Sequence, residues 1–329
     1  MRFNAAIFGP EGPVLTDWER GFFRDTRPFG FILFARNVED PNQLSGLCDD
    51  LRDAAGHDAP ILVDQEGGRV QRLRAPHWRE WLPPLEQMQR ARDPLRAMWL
   101  RYRLIAAELR QVGIDANCAP CADITSRKTH PFLRNRCYGG DAATVLDAAR
   151  AVAEAHLAGG VLPVMKHIPG HGLAAVDSHK DLPQVDAARA DLEAQDFVPF
   201  TGLADLPMGM TAHVIYEAID PDAPATTSRT VMNVIREQIG FQGFLMTDDI
   251  GMDALDGTPA QRAHRAILAG CDAVLHCNGK APEIAAVAET VGEMTDAAQA
   301  RAEAALGWRK TPAPVDIGAL SEELDDLLN

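Results

Sequence analysis

The chain has 329 residues, 46% hydrophobic and 24% charged, with 26 glycines and 22 prolines spread along it instead of pooled in a linker. This excludes a fibrous or disordered protein and favours one globular domain over residues 1–329. The formal net charge of -15 repels nucleic acid and anionic membranes, so the expected partner is a small or local ligand.

No stretch reaches the ~18 apolar residues that span a bilayer. The N-terminus lacks the apolar length and cleavage pattern of a signal peptide, and the six scattered cysteines need no framework of bridges, so a cytoplasmic protein is expected.

Short apolar runs alternate with helix-forming segments. Ala5 to Phe8 and Phe31 to Phe34 come first, then a helix over Pro41 to Ala54, the run Ile61 to Val63, and a helix over Pro94 to Gln111. Ile114 to Cys118 is followed by a helix over Ala142 to Leu157, Val161 to Met165 by one over Ala187 to Leu203, and Met208 to Ala212 by one over Ser228 to Ile239. Phe244 to Met246, a helix over Thr258 to Ala269, and Ala273 to Leu275 complete the series, and polar helices over about 282–329 should pack outside. Repeated βα units imply a parallel sheet, and eight strands predict an α/β fold, a single (β/α)8 TIM barrel with a C-terminal helical extension. A doubly wound open sheet is the alternative; no G-x-G-x-x-G follows an early strand, so no dinucleotide cofactor is expected.

In such a barrel the reactive groups gather just after the strands, at the mouth. Asp64-Gln65-Glu66-Gly67-Gly68 with Arg69 and Arg72 follows the third run, and Arg134, Asn135 and Arg136 lie in the long excursion after the fourth. Lys166 and His167 end the fifth, His213 follows the sixth, Thr247-Asp248-Asp249 the seventh, and His276-Cys277-Asn278 the eighth. Lys166-His167-Ile168-Pro169-Gly170-His171-Gly172 runs on to Asp177-Ser178-His179, where a carboxylate two residues from an imidazole can bond one ring nitrogen and leave the other to move a proton. Cys118-Ala119-Pro120-Cys121 has redox-motif spacing, but no helix start follows that would lower a thiol pKa.

Adjacent residues on a regular strand face opposite sides, so one of Asp248 and Asp249 is expected to point inward, and Asp248 directly ends the apolar run. A carboxylate facing a proton-carrying Asp177/His179 pair is the equipment for glycoside cleavage through a covalent glycosyl-enzyme. Histidine can replace the usual carboxylic acid because its ordinary pKa, ~6.5, already lies near neutrality. Asp64 would accept hydroxyl protons, while Arg72, Arg136, Lys166 and His167 would hold the sugar from other sides. Gly67-Gly68 allows close backbone approach to a ligand. Glu66 reads as the structural partner of an arginine, and His213 as a satisfied core histidine.

These segments resemble glycoside hydrolase family 3 β-N-acetylhexosaminidases, in particular the bacterial cytoplasmic type that serves peptidoglycan recycling. The likeness runs from Ile7 to Asn278 through Gly30-Phe31-Ile32-Leu33-Phe34-Ala35-Arg36-Asn37, Asp64 to Arg72, Asn117-Cys118-Ala119-Pro120, the Arg136 region, Lys166 to Gly172 with Asp177-Ser178-His179, and Thr247-Asp248-Asp249-Ile250-Gly251-Met252. It implies a single-domain barrel with Asp248 as nucleophile and Asp177/His179 as acid/base dyad on a mobile loop. It also implies N-acetylglucosamine binding by Asp64, Arg72, Arg136, Lys166 and His167, and release of that sugar from 1,6-anhydro-muropeptides. Thr247 stands where the family usually has Ser, cysteines stand at 118 and 121 where apolar residues are usual, and Arg134 competes with Arg136 for the carried-over role.

Three alternatives remain at this level. A metal-dependent barrel hydrolase could recruit Asp177, His167, His171 and His179, although the first run ends in Phe8-Gly9-Pro10 without the H-x-H of amidohydrolases; no metal is expected. A glycoside phosphorylase would pass the same intermediate to phosphate. A noncatalytic sugar-binding module would have no use for the Asp177/His179/Asp248 set.

Overall fold

The strands of this protein are runs of Ile, Val, Leu, Phe, Met and Ala because a parallel strand between barrel axis and helix layer is buried on both faces. The computed structural model describes residues 2–127, 129–173 and 182–329. In chain order the strands are β1 (Asn4–Phe8), β2 (Pro28–Leu33), β3 (Ile61–Val63), β4 (Ala116–Asn117), β5 (Leu162–Ile168), β6 (Gln184–Val185), β7 (Met208–Thr211), β8 (Ile215–Tyr216), β9 (Phe244–Asp249) and β10 (Ala273–His276). Eight close into a ring in the order β1-β10-β9-β7-β5-β4-β3-β2, every neighbouring pair parallel. Each of the eight expected runs supplies one of these strands. β6 and β8 form a separate two-stranded parallel sheet.

Local signals set the helix ends. Asp40 accepts the backbone N–H groups of Asn42 and Gln43 to start Pro41–Ala55, and Gly56 stops it in the left-handed conformation at φ 68°. Thr258 and Gln261 form a capping box ahead of Pro259–Ala269. Two expected helices differ in the structure. The segment 187–203 divides into Arg189–Ala194 and Phe197–Gly202, because Gln195 leaves helical geometry at φ -131° and Pro199 has no N–H to continue the ladder. The segment 228–239 is Arg229–Asn233 followed by a wider π turn, Val234–Gln238, closed by the Ile239 N–H on the Val234 carbonyl at 2.9 Å.

The C-terminal extension is three helices, Ala281–Val291, Asp296–Leu306 and Ile317–Leu328. The last lies on Pro94–Gln111, where Leu324 is fully buried and Arg96 makes a two-pronged bond to Glu323 at 2.7 and 2.8 Å. Among the described residues no helix is long and apolar enough to cross a membrane.

Candidate active site

The carboxyl ends of the barrel strands surround a cavity of about 190 Å³. Asp64, Arg72, Arg136, Lys166, His167, His171, Asp248 and Asp249 reach it, with Phe34, Phe132, Met210 and Met252 among the apolar lining. Four of these groups, Arg72, Asp64, Lys166 and Arg136, form with the buried Glu66 an unbroken ladder of alternating charge. Arg72 donates to Asp64 Oδ2 at 3.0 Å, and Lys166 Nζ donates to Asp64 Oδ1 at 2.8 Å. Lys166 Nζ also lies 2.5 Å from Glu66 Oε1. Arg136 clasps both oxygens of Glu66 at 2.8 and 2.9 Å.

Burial alone would raise both carboxyl pKa values. For Asp64 the Lys166 ammonium and Arg72 guanidinium overcome that effect and hold it well below the usual carboxylate range. For Glu66, Arg136 and Lys166 bring it down to about 2. The carboxylates in turn hold Lys166 and Arg136 firmly protonated against their own burial.

The loop carrying Asp64, Glu66 and Arg72 is built on Gln65. Its side chain accepts the N–H groups of Arg72 and Leu73 at 2.9 and 3.1 Å and donates to the Leu73 carbonyl at 2.9 Å, folding the chain back so that Arg72 meets Asp64. Gly67, at φ 105°, admits no side chain, since a Cβ there would lie 2.8 Å from the Leu82 carbonyl oxygen. Gly68 donates to the Trp81 carbonyl at 2.8 Å.

Lys166 and His167 are adjacent on β5, yet both face the cavity. The register of β5 against β7 slips between Met165 and Ile168, which ends regular alternation there. The same departure occurs on β9, where both Asp248 and Asp249 reach the cavity instead of one, beside a register slip between β9 and β10. Their partners separate them. Asp249 Oδ1 accepts the backbone N–H groups of Gly251 and Cys277 at 2.9 and 3.1 Å. Among the described residues Asp248 Oδ1 accepts only the Asp249 N–H, at 2.8 Å, and its Oδ2 lies 3.9 Å from His167 Nε2. Burial would raise the Asp248 carboxyl, but His167, His213 and the Asp249 N–H hold it below its ordinary value. Asp248 is therefore an ionised carboxylate that lines the cavity, with no hydrogen bond to Oδ2 among the described residues.

Arg136, not Arg134, belongs to this cluster; Arg134 turns away to the carbonyls of Arg127 and Thr129, both at 3.0 Å. Glu66 is the partner of an arginine, as its setting in the sequence suggested. His213 is buried and satisfied, with Nδ1 on Thr226 Oγ1 at 2.7 Å and Nε2 on the Asp249 carbonyl at 3.0 Å. Thr247 spends its hydroxyl on the Leu275 N–H. Asp177 and His179 lie outside the described residues.

Sequence reasoning missed Asp123. This fully buried residue lies 2.7 Å from His167 Nδ1 through Oδ2 and accepts the His171 N–H at 2.7 Å through Oδ1. Its only signal was its place shortly after the fourth strand. Cys121, Asp123 and His167 also bring potential metal-ligand atoms within 4.8 Å of one another. The thiol, however, is raised well above its ordinary pKa by its contact with Cys137 and by burial, and Cys121 donates to Asp123 Oδ2 at 3.4 Å. All six cysteines are unpaired and buried.

Residues 24–306 match the family model described as glycosyl hydrolase family 3 N terminal domain. A protein of Alkalilimnicola ehrlichii named Beta-hexosaminidase is 40% identical over 286 residues, covering 84% of this chain and 82% of that one. A protein of the same name from Stenotrophomonas maltophilia strain K279a is 35% identical over 323 residues, 92% of each. Among solved structures, native NagZ from Neisseria gonorrhoeae superposes with a TM-score of 0.88 at 26% identity, covering 100% of this chain and 99% of that one. A glycoside hydrolase family 3 β-N-acetylglucosaminidase from Paenibacillus sp. str. FPU-7 gives 0.88 at 27%, covering 98% of this chain and 67% of that one. With a family match spanning most of the barrel, and relatives this similar over four-fifths or more of their length, the chain belongs to glycosyl hydrolase family 3.

Proposed function

We propose that this protein is a retaining β-N-acetylhexosaminidase that removes a terminal β-linked N-acetylglucosamine through a covalent bond to Asp248. The observation that carries this reading is an ionised Asp248 that lines the same cavity of about 190 Å³ as Asp64, Arg72, Lys166 and Arg136 of the charge ladder, its carboxylate accepting one backbone N–H among the described residues. The ladder offers acceptors and donors fixed in advance, which suits a ring bearing hydroxyls and an acyl oxygen. The cavity lies below the ~300–1,000 Å³ of larger ligand pockets, consistent with removal of one terminal residue.

In this mechanism Asp248 attacks the anomeric carbon while His179, oriented by Asp177, protonates the leaving oxygen. The same histidine then draws a proton from water as it attacks the glycosyl-enzyme, so two inversions give net retention. Asp64 and Arg72 hold hydroxyls, and Arg136, Lys166 and His167 hold the remaining polar edge of the ring. The substrates are 1,6-anhydro-muropeptides of peptidoglycan recycling and the compartment is the cytoplasm; the family likeness of the loop motifs supports the first, and six unpaired cysteines fit the second.

The test is a panel of aryl β-glycosides differing at C2 and C4, followed by purified N-acetylglucosaminyl-anhydro-muropeptides assayed by mass spectrometry. Preference for the acetamido sugar and release of N-acetylglucosamine from the muropeptide are expected. Equal turnover of the glucoside would defeat the sugar assignment, and an intact muropeptide would defeat the proposed substrate. A 2-deoxy-2-fluoro glycosyl fluoride should leave an adduct that peptide mapping places on Asp248.

A further inference from the structure

We infer that Asp123 is a positioning residue that fixes His167 as the tautomer with its proton on Nδ1, so that a bare Nε2 faces the cavity as an acceptor for a sugar hydroxyl. This rests on the reading of His167 as a sugar-holding group. The two ring nitrogens have different neighbours. Nδ1 is 2.7 Å from Asp123 Oδ2, and Asp123 is a buried carboxylate whose oxygens already accept the His171 and His167 backbone N–H groups and the Cys121 thiol, contacts that keep it ionised with no proton to donate. That contact requires the hydrogen on Nδ1. Nε2 is 3.5 Å from Arg136 Nη2, which carries only hydrogens, and 3.9 Å from Asp248 Oδ2, outside direct hydrogen-bonding reach. A hydrogen on Nε2 would face the guanidinium; a lone pair there faces a donor.

Asp123 is itself held at both oxygens. Oδ1 receives the backbone N–H of His171 at 2.7 Å and that of His167 at 3.4 Å, while Oδ2 receives His167 Nδ1 and the Cys121 thiol. One carboxylate thus ties both ends of the Lys166-to-Gly172 segment to the stretch of chain that follows β4. It leaves His167 a single orientation and a single protonation pattern.

These contacts make Asp123→Asn an informative change. The two backbone N–H groups can be met only by the amide oxygen, so the amide NH2 must take the other side, facing His167 Nδ1 and Cys121 Sγ. An N–H donor aimed at Nδ1 forces the ring proton onto Nε2, and the acceptor toward the cavity becomes a donor. A buried Asp-to-Asn change beside a catalytic histidine in the serine proteases acts in this way, keeping the geometry while inverting the tautomer. Asp123→Ala lacks the amide, so it loosens the segment but leaves the ring free to keep its proton on Nδ1.

The experiment combines activity, stability and 15N–1H correlation spectra of the full chain labelled at its 10 histidines, with the His167 resonance identified by its loss in His167→Gln. Wild type should show the proton on Nδ1 alone, and Asp123→Asn should show it on Nε2. For an aryl β-N-acetylglucosaminide, kcat/KM should fall on the order of 10²-fold or more in Asp123→Asn. Asp123→Ala should be the less stable of the two variants and yet the more active per folded molecule. A purely structural role predicts the opposite activity order, because Asn preserves more of the packing.

A wild-type ring protonated at Nε2, alone or as imidazolium, overturns the inference, as does an Asn variant at least as active as the Ala variant. Should Asp123→Asn fail to fold, the wild-type spectrum still decides the tautomer. If wild type shows the Nδ1–H form but hydrolyses no acetamido glycoside, the proposed function fails and the hold of Asp123 on the ring stands.

Discussion

Asp248 and Asp249 share a strand end but have opposite employment. Asp248→Asn should lower kcat/KM by well over ~10²-fold with the melting temperature nearly unchanged, since a lost nucleophile costs several kcal/mol of barrier and each 1.36 kcal/mol is tenfold. Asp249→Ala should show the reverse balance, a smaller kinetic loss with lower stability, because the Asp249 carboxylate ties down the Gly251 and Cys277 backbone. Steady-state kinetics and thermal unfolding on both variants check this, and a dispensable Asp248 would exchange the two roles. His179→Ala should slow substrates with poor leaving groups far more than an activated aryl glycoside that departs without a proton; a uniform loss across leaving groups would remove His179 from the acid role. Asp64, Lys166, His167 and Asp248 were legible in the sequence because each ends or directly follows an apolar run. Asp123 was not, because what defines it is burial against His167, 44 residues away. The Lys166–Glu66 contact likewise joins two loops whose proximity exists only once the ring closes.

At the scale of elements, the break between helices Arg189–Ala194 and Phe197–Gly202 leaves Asp196 between them, against Gly170. Asp196 is buried without a side-chain cap bond, and burial together with Asp123 pushes its pKa up to about 7. A carboxyl raised in the folded state favours folding only while protonated, so the penalty is absent below the unfolded value, ~3.9, and grows as pH rises to about 7. Asp196→Asn should therefore match wild type in denaturant unfolding near pH 4 and be more stable by on the order of 4 kcal/mol at pH 8. A stability difference independent of pH would show that Asp196 is not the titrating group. The barrel strands were legible because burial on both faces writes itself as short apolar runs, although the fourth run carries Asp115 and Asn117 within it. The helix break was less so, since Pro199 also fits the first turn of a helix, and 187–203 retains helix-forming composition on either side of it.

Across the whole molecule, the last helix supports the first functional loop. Buried Leu324 seats its helix, Ile317–Leu328, on Pro94–Gln111, and that helix presents Ser321 and Asp325 to Arg79; Arg79 stacks on Trp81 at 4.9 Å, and the Trp81 carbonyl holds Gly68. Leu324→Ala should cost ~2–5 kcal/mol of stability and raise KM more than it lowers kcat, because the displaced loop carries Asp64 and Arg72, not Asp248. An unchanged KM in a measurably destabilised variant would break this chain of support. The charge ladder has a different consequence. Its two carboxylates sit below their ordinary range and its lysine above, so across the whole physiological span these groups neither take up nor release protons. In the proposed mechanism the clamp on the sugar is in effect a fixed ionic lattice, and acidity is left to govern the reaction instead of the grip.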